Sequence, residues 1–222
     1  MKSTTTHILC LSFVALSFAL AAWLYPQLPE QVPVQWNMYD EINRTLPKPL
    51  GAFVMPLSCL GICVLLWILP YISPKGFGLE RFARTYETLQ LCMVAFFFFV
   101  AVLQLLAAAG MGIPAGRSTS FAMGLMFVVL GNFMGKLTTN FFVGIRTPWT
   151  LASKEVWLRT HRLGGKLFVL SGFILVLSGL LDGGFIPLFV VTALLVVVLV
   201  LYSYLLYRRL EQPQEADSSF DS

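Results

Sequence analysis

Residues 8–25, 50–72, 89–113 and 185–207 of this chain are apolar blocks of 18 or more consecutive positions with no Asp, Glu, Lys or Arg. That pattern constrains the fold more than any other feature. A helix rises about 1.5 Å per residue, so roughly 20 apolar residues cross the hydrocarbon core of a bilayer. Lipid offers the backbone no hydrogen bonds, so such stretches must satisfy their peptide groups internally as helices. The rest of the composition agrees. Only 12% of the residues are charged and 57% are hydrophobic, whereas an average soluble domain carries about 25% charged residues.

Two further blocks are weaker. Residues 121–140 end with Lys136 in the last turns, and residues 163–181 carry Lys166 near one end. With them the sequence predicts an all-α integral membrane protein of six transmembrane helices. Asp182-Gly183-Gly184 reads as a tight turn that makes a hairpin of the last two.

The basic residues set the expected orientation, because cytoplasmic loops retain Lys and Arg. With the N-terminus inside, the inner segments hold Lys2, Lys75, Arg81, Arg84, Arg146, Lys154, Arg159, Arg162, Lys166, Arg208 and Arg209, and the outer ones hold Arg44, Lys48 and Arg117. That bias predicts both termini in the cytoplasm. It also accounts for the net charge of +4 without a nucleic-acid partner. A competing reading of the first block is a signal peptide, since Lys2, an apolar run and Ala19-Leu20-Ala21 resemble a cleavable leader.

The loops differ in character. The first outer loop, residues 26–49, has prolines at 26, 29 and 33, which disfavour helix and favour an extended path. Val32, Val34 and Trp36 alternate along it, as in a short strand. Pro29, Pro33, Trp36 and Asn37 are its candidate functional residues. Residues 79–88 of the inner loop read as a helical extension into the third span. In residues 140–165, Thr147-Pro148 has the form of an N-cap followed by proline at the first helical position. Trp149, Ala152, Val156 and Leu163 recur near a helical period, opposite Lys154, Arg159 and Arg162. This predicts a cytoplasmic amphipathic helix between helices 4 and 5, ended by Gly164-Gly165. The acidic residues 211–222 read as a disordered tail.

Polar residues inside spans are costly and therefore informative. Asn132, Lys136 and Asn140 stand four apart and would form one stripe on the fourth helix, with Gly131 and Gly135 beside it as a small-residue pair for helix contact. Either Lys136 snorkels to the interface, or the stripe faces a cavity and makes a small transporter or channel. Cys59 and Cys63 share a helix face. With Cys10 and Cys92 they read as small apolar packing residues rather than metal ligands, and no metal or cofactor is expected. The two histidines, His7 and His161, have no evident nucleophile beside them. No phosphate loop, HExxH or GxSxG motif is present. An enzyme is therefore not expected, although His161, Arg146 and Arg162 would be the residues around which one would form.

One run stands out: Asn140-Phe-Phe-Val-Gly144-Ile-Arg146-Thr147-Pro148-Trp149-Thr-Leu, then Trp157, Thr160-His161-Arg162 and Gly165-Lys166. It resembles the SdpI family of bacterial membrane proteins. The first-loop pattern LPxxVPxQWN resembles a small domain of unknown function often joined to that family. It departs from the usual pattern at Gln35, where His is common, and about Asp40, where glycine is common. The resemblance implies division into a two-helix N-terminal unit (1–72), a third helix with its loops (73–120), an SdpI-like three-helix unit (121–210) and the tail (211–222). It also implies residence in the bacterial cytoplasmic membrane and immunity to a secreted antimicrobial peptide toxin. A further implied role is signalling, in which a cytoplasmic repressor protein is held at the membrane. Asn140, Gly144, Arg146, Thr147, Pro148, Trp149, Trp157, Thr160, His161, Gly165 and Lys166 are then the candidate functional residues. The expected partners are the lipid bilayer, a toxin outside and a repressor inside, with no direct contact to nucleic acid.

Overall fold

A computed structural model describes residues 4–37, 39–72, 82–181 and 183–218, with side chains described as far as Leu210. In chain order the elements are α1 (Thr4–Leu24), a 3-10 turn (Tyr25–Gln27), β1 (Gln31–Trp36), β2 (Ile42–Pro47), α2 (Lys48–Ile68), α3 (Ala83–Ala108), α4 (Ala115–Met134), α5 (Pro148–Ala152), α6 (Lys154–Leu180) and α7 (Ile186–Ser218).

Helices α1, α2 and α3 pack together as an N-terminal bundle. One layer buries Cys10, Val14, Cys59, Cys63 and Val94. Cys10, Cys59 and Cys63 therefore sit at helix contacts. A second layer joins Ala21, Leu24, Ala52, Leu105 and Ala108 to Leu28 and Val32 of the outer loop. That loop is not merely extended. It is an antiparallel hairpin, β1 on β2, pairing Val32 with Leu46 and Gln31 with Pro47, so the fold is helical with one small sheet. The hairpin is clamped down at two points. Val32 seats on Gly51, where a Cβ would lie 2.5 Å from its own Cβ. The Gln104 side chain of α3 donates to the Pro33 carbonyl at 3.0 Å.

The second half is built on α4 and α6, which run antiparallel with their backbones in contact. A Cβ on Gly131 would lie 2.6 Å from the Gly165 carbonyl oxygen, and one on Gly172 would lie 2.6 Å from that of Gly124. A Cβ on Gly179 would lie 2.8 Å from the Arg117 carbonyl oxygen. Glycines spaced seven apart on α6 (165, 172, 179) thus meet a matching series on α4 (131, 124, and the turn at 117). Close approach through small residues is how helices associate where lipid removes the hydrophobic incentive. At the far end Arg117 Nε donates to the Gly179 carbonyl at 2.8 Å, satisfying a terminal carbonyl of α6. Packing of α7 buries Phe127, Leu175, Leu195 and Leu199 together. Outward-facing side chains include Leu170, Phe173, Leu177, Leu194, Val197 and Leu201, each at least half exposed, which is the surface a helix presents to lipid.

Several expectations are revised. Among the described residues, five helices, α1, α2, α3, α6 and α7, are long and apolar enough to cross a membrane. The fourth block is helical as α4, but Arg117 and Asn132 lie within it and it falls short by composition. The amphipathic segment is not a separate helix. After the short α5, α6 runs unbroken from Lys154 to Leu180. Gly164-Gly165 does not end it, because those glycines are held in place by packing on α4 and its neighbours. Helix α7 continues to Ser218, into the segment expected to be a disordered tail. Helix α3 starts at Ala83. Lys2, Lys75, Arg81 and Asp182 lie outside the described residues, while Gly183 N–H closes the last turn onto the Ser178 carbonyl at 2.8 Å.

Candidate functional site

The run from Asn140 to Lys166 folds into one packed knot across the end of α4 and the start of α6. Because α4 stops at Met134, the chain must turn, and Asn140 organises the turn. Its Oδ1 accepts the Phe142 and Val143 N–H groups at 2.9 and 2.7 Å. Its Nδ2 donates to the Thr138 and Val143 carbonyls, both at 2.9 Å. Asn140 is fully buried and has used its side-chain donors and acceptor on backbone, so it is a scaffold for the loop.

The loop is pinned to α6 by an aromatic pair. Trp157 is fully buried, and its Nε1–H donates to the Leu137 carbonyl at 2.8 Å. One helical turn later, the His161 ring stacks on it with centroids 4.0 Å apart. The Ile145 N–H donates to His161 Nε2 at 3.0 Å, so Nε2 is the bare nitrogen and Nδ1 carries the proton. Nδ1–H donates to the Trp157 carbonyl at 2.8 Å. Both ring nitrogens are occupied by backbone, and the imidazole is held neutral in one tautomer. Gly144 lies directly against this ring at a φ of +122°. A Cβ there would collide with His161 Nε2, so the position requires glycine for both conformation and space.

Thr147-Pro148 starts α5 as expected. Thr147 Oγ1 accepts the Thr150 N–H at 3.2 Å while Thr150 Oγ1 accepts the Thr147 N–H at 2.9 Å, a reciprocal cap. Thr147 Oγ1 also donates to Ser203 Oγ on α7 at 3.1 Å, and Trp149 packs against Tyr204 with centroids 5.0 Å apart. The motif therefore ties α4, α6 and α7 together. Thr160 is buried, and its hydroxyl has no hydrogen-bond partner among the described residues. Gly165 is part of the α4–α6 contact. The charged members face outward: Arg146, Lys166 and the neighbouring Lys154, Arg159 and Arg162 are exposed. The Arg146 guanidinium lies over the Phe141 ring at 4.5 Å, and Arg159 pairs with Glu155 at 2.6 Å.

The polar stripe of the fourth helix is not assembled. Asn132 is exposed and donates to its own helix at the Val128 carbonyl, 2.8 Å away. Lys136 and Asn140 lie beyond the end of α4, so four-residue spacing no longer puts them on one face. The exposed Lys136 folds over Phe133 at 4.8 Å. Of the small-residue pair only Gly131 makes the helix contact, since Gly135 faces open space.

In the outer hairpin, Asn37 builds the turn. Its Oδ1 accepts the Tyr39 and Glu41 N–H groups at 2.9 and 3.0 Å. Pro33 supplies the carbonyl held by Gln104, Trp36 is half-buried and Pro29 is exposed. Asp40 has a φ of +65°, a conformation that favours glycine, which explains the residue common there in the resembled pattern. Here the carboxylate has a use. Its Oδ1 accepts the Gly116 N–H at 2.7 Å in the first turn of α4, joining the hairpin to the second half of the molecule. Sequence reasoning marked Asp40 only as a departure from the resembled pattern, and did not single out Ser203, Tyr204 or the glycine ladder. The seven-residue spacing of the glycines was the signal available for the last.

Two family models match separate parts of the chain. Residues 136–203 match the SdpI/YfhL protein family, and residues 13–60 match a domain of unknown function (DUF1648). The chain is 27% identical over 206 residues to the immunity protein SdpI of Bacillus subtilis (strain 168), an alignment that covers 92% of this chain and 97% of that protein. No solved structure matches the chain. The matched segment 136–203 contains the packed knot and Ser203 of α7, and both halves align with one relative: the chain is a multi-pass membrane protein similar to the SdpI/YfhL family.

Proposed function

We propose that this chain is a membrane immunity protein that protects its own cell from a secreted antimicrobial peptide toxin. The supporting observation is the near end-to-end likeness to an immunity protein, 97% of whose length is covered. The geometry is compatible with that role. Motif side chains are spent on holding α4, α6 and α7 in one arrangement, and His161 has both nitrogens engaged, which favours a non-catalytic reading. In this reading the chain crosses the bacterial cytoplasmic membrane six times with both termini inside. Helix α4 is the sixth crossing, because it runs antiparallel beside the apolar α6 along its length. The hairpin then faces the toxin, and the exposed basic residues Arg146, Lys154, Arg159, Arg162 and Lys166 face the cytoplasm, where a repressor protein would dock.

Expression of the chain in a sensitive strain, followed by challenge with supernatants from toxin-producing relatives, tests the proposal. Survival should rise, and Gly144→Val should abolish the gain. Unchanged survival across a broad panel, with the protein present in the membrane, would refute it. Signalling is tested separately: charge reversal at Arg146 and Arg162 should abolish membrane recruitment of the repressor while leaving toxin survival intact.

A further inference from the structure

One face of α6 changes character along its length. Arg159, Arg162 and Lys166 near its start are exposed, and Leu170, Phe173 and Leu177 further on are each more than half exposed. Steps of three or four residues place all six on a single side of a helix. Helix α4 packs on a different side, through Gly165, Gly172 and Gly179. The apolar part of the stripe is therefore open to lipid, and the cations continue it directly. From Lys166 to Leu177 the helix rises roughly 16 Å at about 1.5 Å per residue, close to the ~15 Å of hydrocarbon in one leaflet. The three cations are not equivalent. Arg159 is paired with Glu155. Among the described residues, Arg162 and Lys166 have no ion-pair partner. They stand one turn apart, a spacing at which like charges repel.

We propose that this stripe binds an anionic phospholipid, its phosphate held between Arg162 and Lys166 and one acyl chain lying along Leu170, Phe173 and Leu177. A phosphate between the two cations replaces their mutual repulsion with attraction to a shared anion. Arginine engages it through the N–H groups of its planar fork, and lysine adds a compact charge. A soluble phosphate compound would meet the cations but leave the apolar stripe uncovered. A zwitterionic lipid would bring its own ammonium group to them. The continuity of the two parts on one face therefore selects a ligand that carries both an anion and a hydrocarbon chain. The inference needs only that α6 crosses a bilayer, and it stands whether or not the chain confers immunity.

The test is native mass spectrometry of the full chain in detergent, titrated with phosphatidylglycerol and with phosphatidylcholine of identical acyl chains. The first phosphatidylglycerol should bind roughly 10–30-fold more tightly than phosphatidylcholine, the combined effect of two cations near a membrane surface. Arg162→Gln and Lys166→Gln should each reduce that preference about five-fold. The double variant should lose it, with helix content and phosphatidylcholine binding unchanged. Lys166→Arg should retain it. Arg209→Gln, which removes an exposed cation of α7, should leave it intact. Glycerol phosphate, which carries the anion without the chains, should not displace the lipid at equal concentration. Equal affinity for the two lipids, a preference that survives the double variant, an equal loss in Arg209→Gln, or displacement by glycerol phosphate would overturn the proposal.

Discussion

Gly172→Ala should loosen the whole second half of the molecule, although it adds one methyl group in a residue of higher helix propensity. A Cβ at position 172 would lie 2.6 Å from the Gly124 carbonyl oxygen and 2.7 Å from the Val128 backbone nitrogen, against ordinary contact beginning near 3.4 Å. Neither neighbour is the end of a flexible side chain, so the two helices must separate by about 0.8 Å, the gap between those distances. A radial gap of about 0.5–1 Å forfeits a quarter to a half of the dispersion well for every atom pair it opens. Overpacking a close contact costs about 1–3 kcal/mol, against the few tenths to ~1 kcal/mol that alanine gains over glycine in a helix. The net effect should be a destabilisation of roughly 1–2 kcal/mol. The matched control is Gly61→Ala, in α2, where a Cβ meets nothing within 4 Å; it should stabilise by about 0.5–1 kcal/mol. Cys10, Cys59 and Cys63 are buried free thiols, so thermal unfolding can be followed with a dye that fluoresces on thiol reaction. A Gly172→Ala melting temperature equal to or above that of Gly61→Ala would refute the ladder as a structural contact.

Trp157→Phe should keep the ring packing but orphan the buried Leu137 carbonyl that now accepts at 2.8 Å, a destabilisation of about 1–3 kcal/mol in the same melting assay. Asp40→Gly should cost less than Asp40→Ala. Both remove the bond to Gly116, but only alanine retains a Cβ at a φ of +65°, and a gap of about 1 kcal/mol between the two melting curves is expected. Thr147→Val removes the cap of α5 and the bond to Ser203; it should destabilise by about 1–2 kcal/mol, while Thr147→Ser should restore most of that stability.

The apolar runs, the N-cap at Thr147 and the motif from Asn140 to Lys166 were legible because each is a local property of the chain. A run of apolar residues specifies a buried helix whatever it packs against, and a threonine before proline caps a helix through its own next turn. The extended first loop was legible for the same reason, since three prolines exclude helix locally. Its pairing into a hairpin was less so, because pairing joins positions such as Val32 and Leu46 across a turn.

What periodicity misjudged were the positions whose role depends on a distant partner. Asn132, Lys136 and Asn140 share a helix face only if the helix continues, and the turn built by Asn140 ends that condition. Gly164-Gly165 looks like a stop signal in isolation, since glycine weakens a helix, yet α6 continues through it because packing on Met134 and the Gly131 backbone offsets the intrinsic cost. Sequence by itself determined which segments leave water and become helical, as burial and backbone satisfaction in lipid are decided residue by residue. Only the tertiary structure decided which carbonyl each buried donor meets and which glycines touch, because those depend on the relative placement of helices distant in sequence.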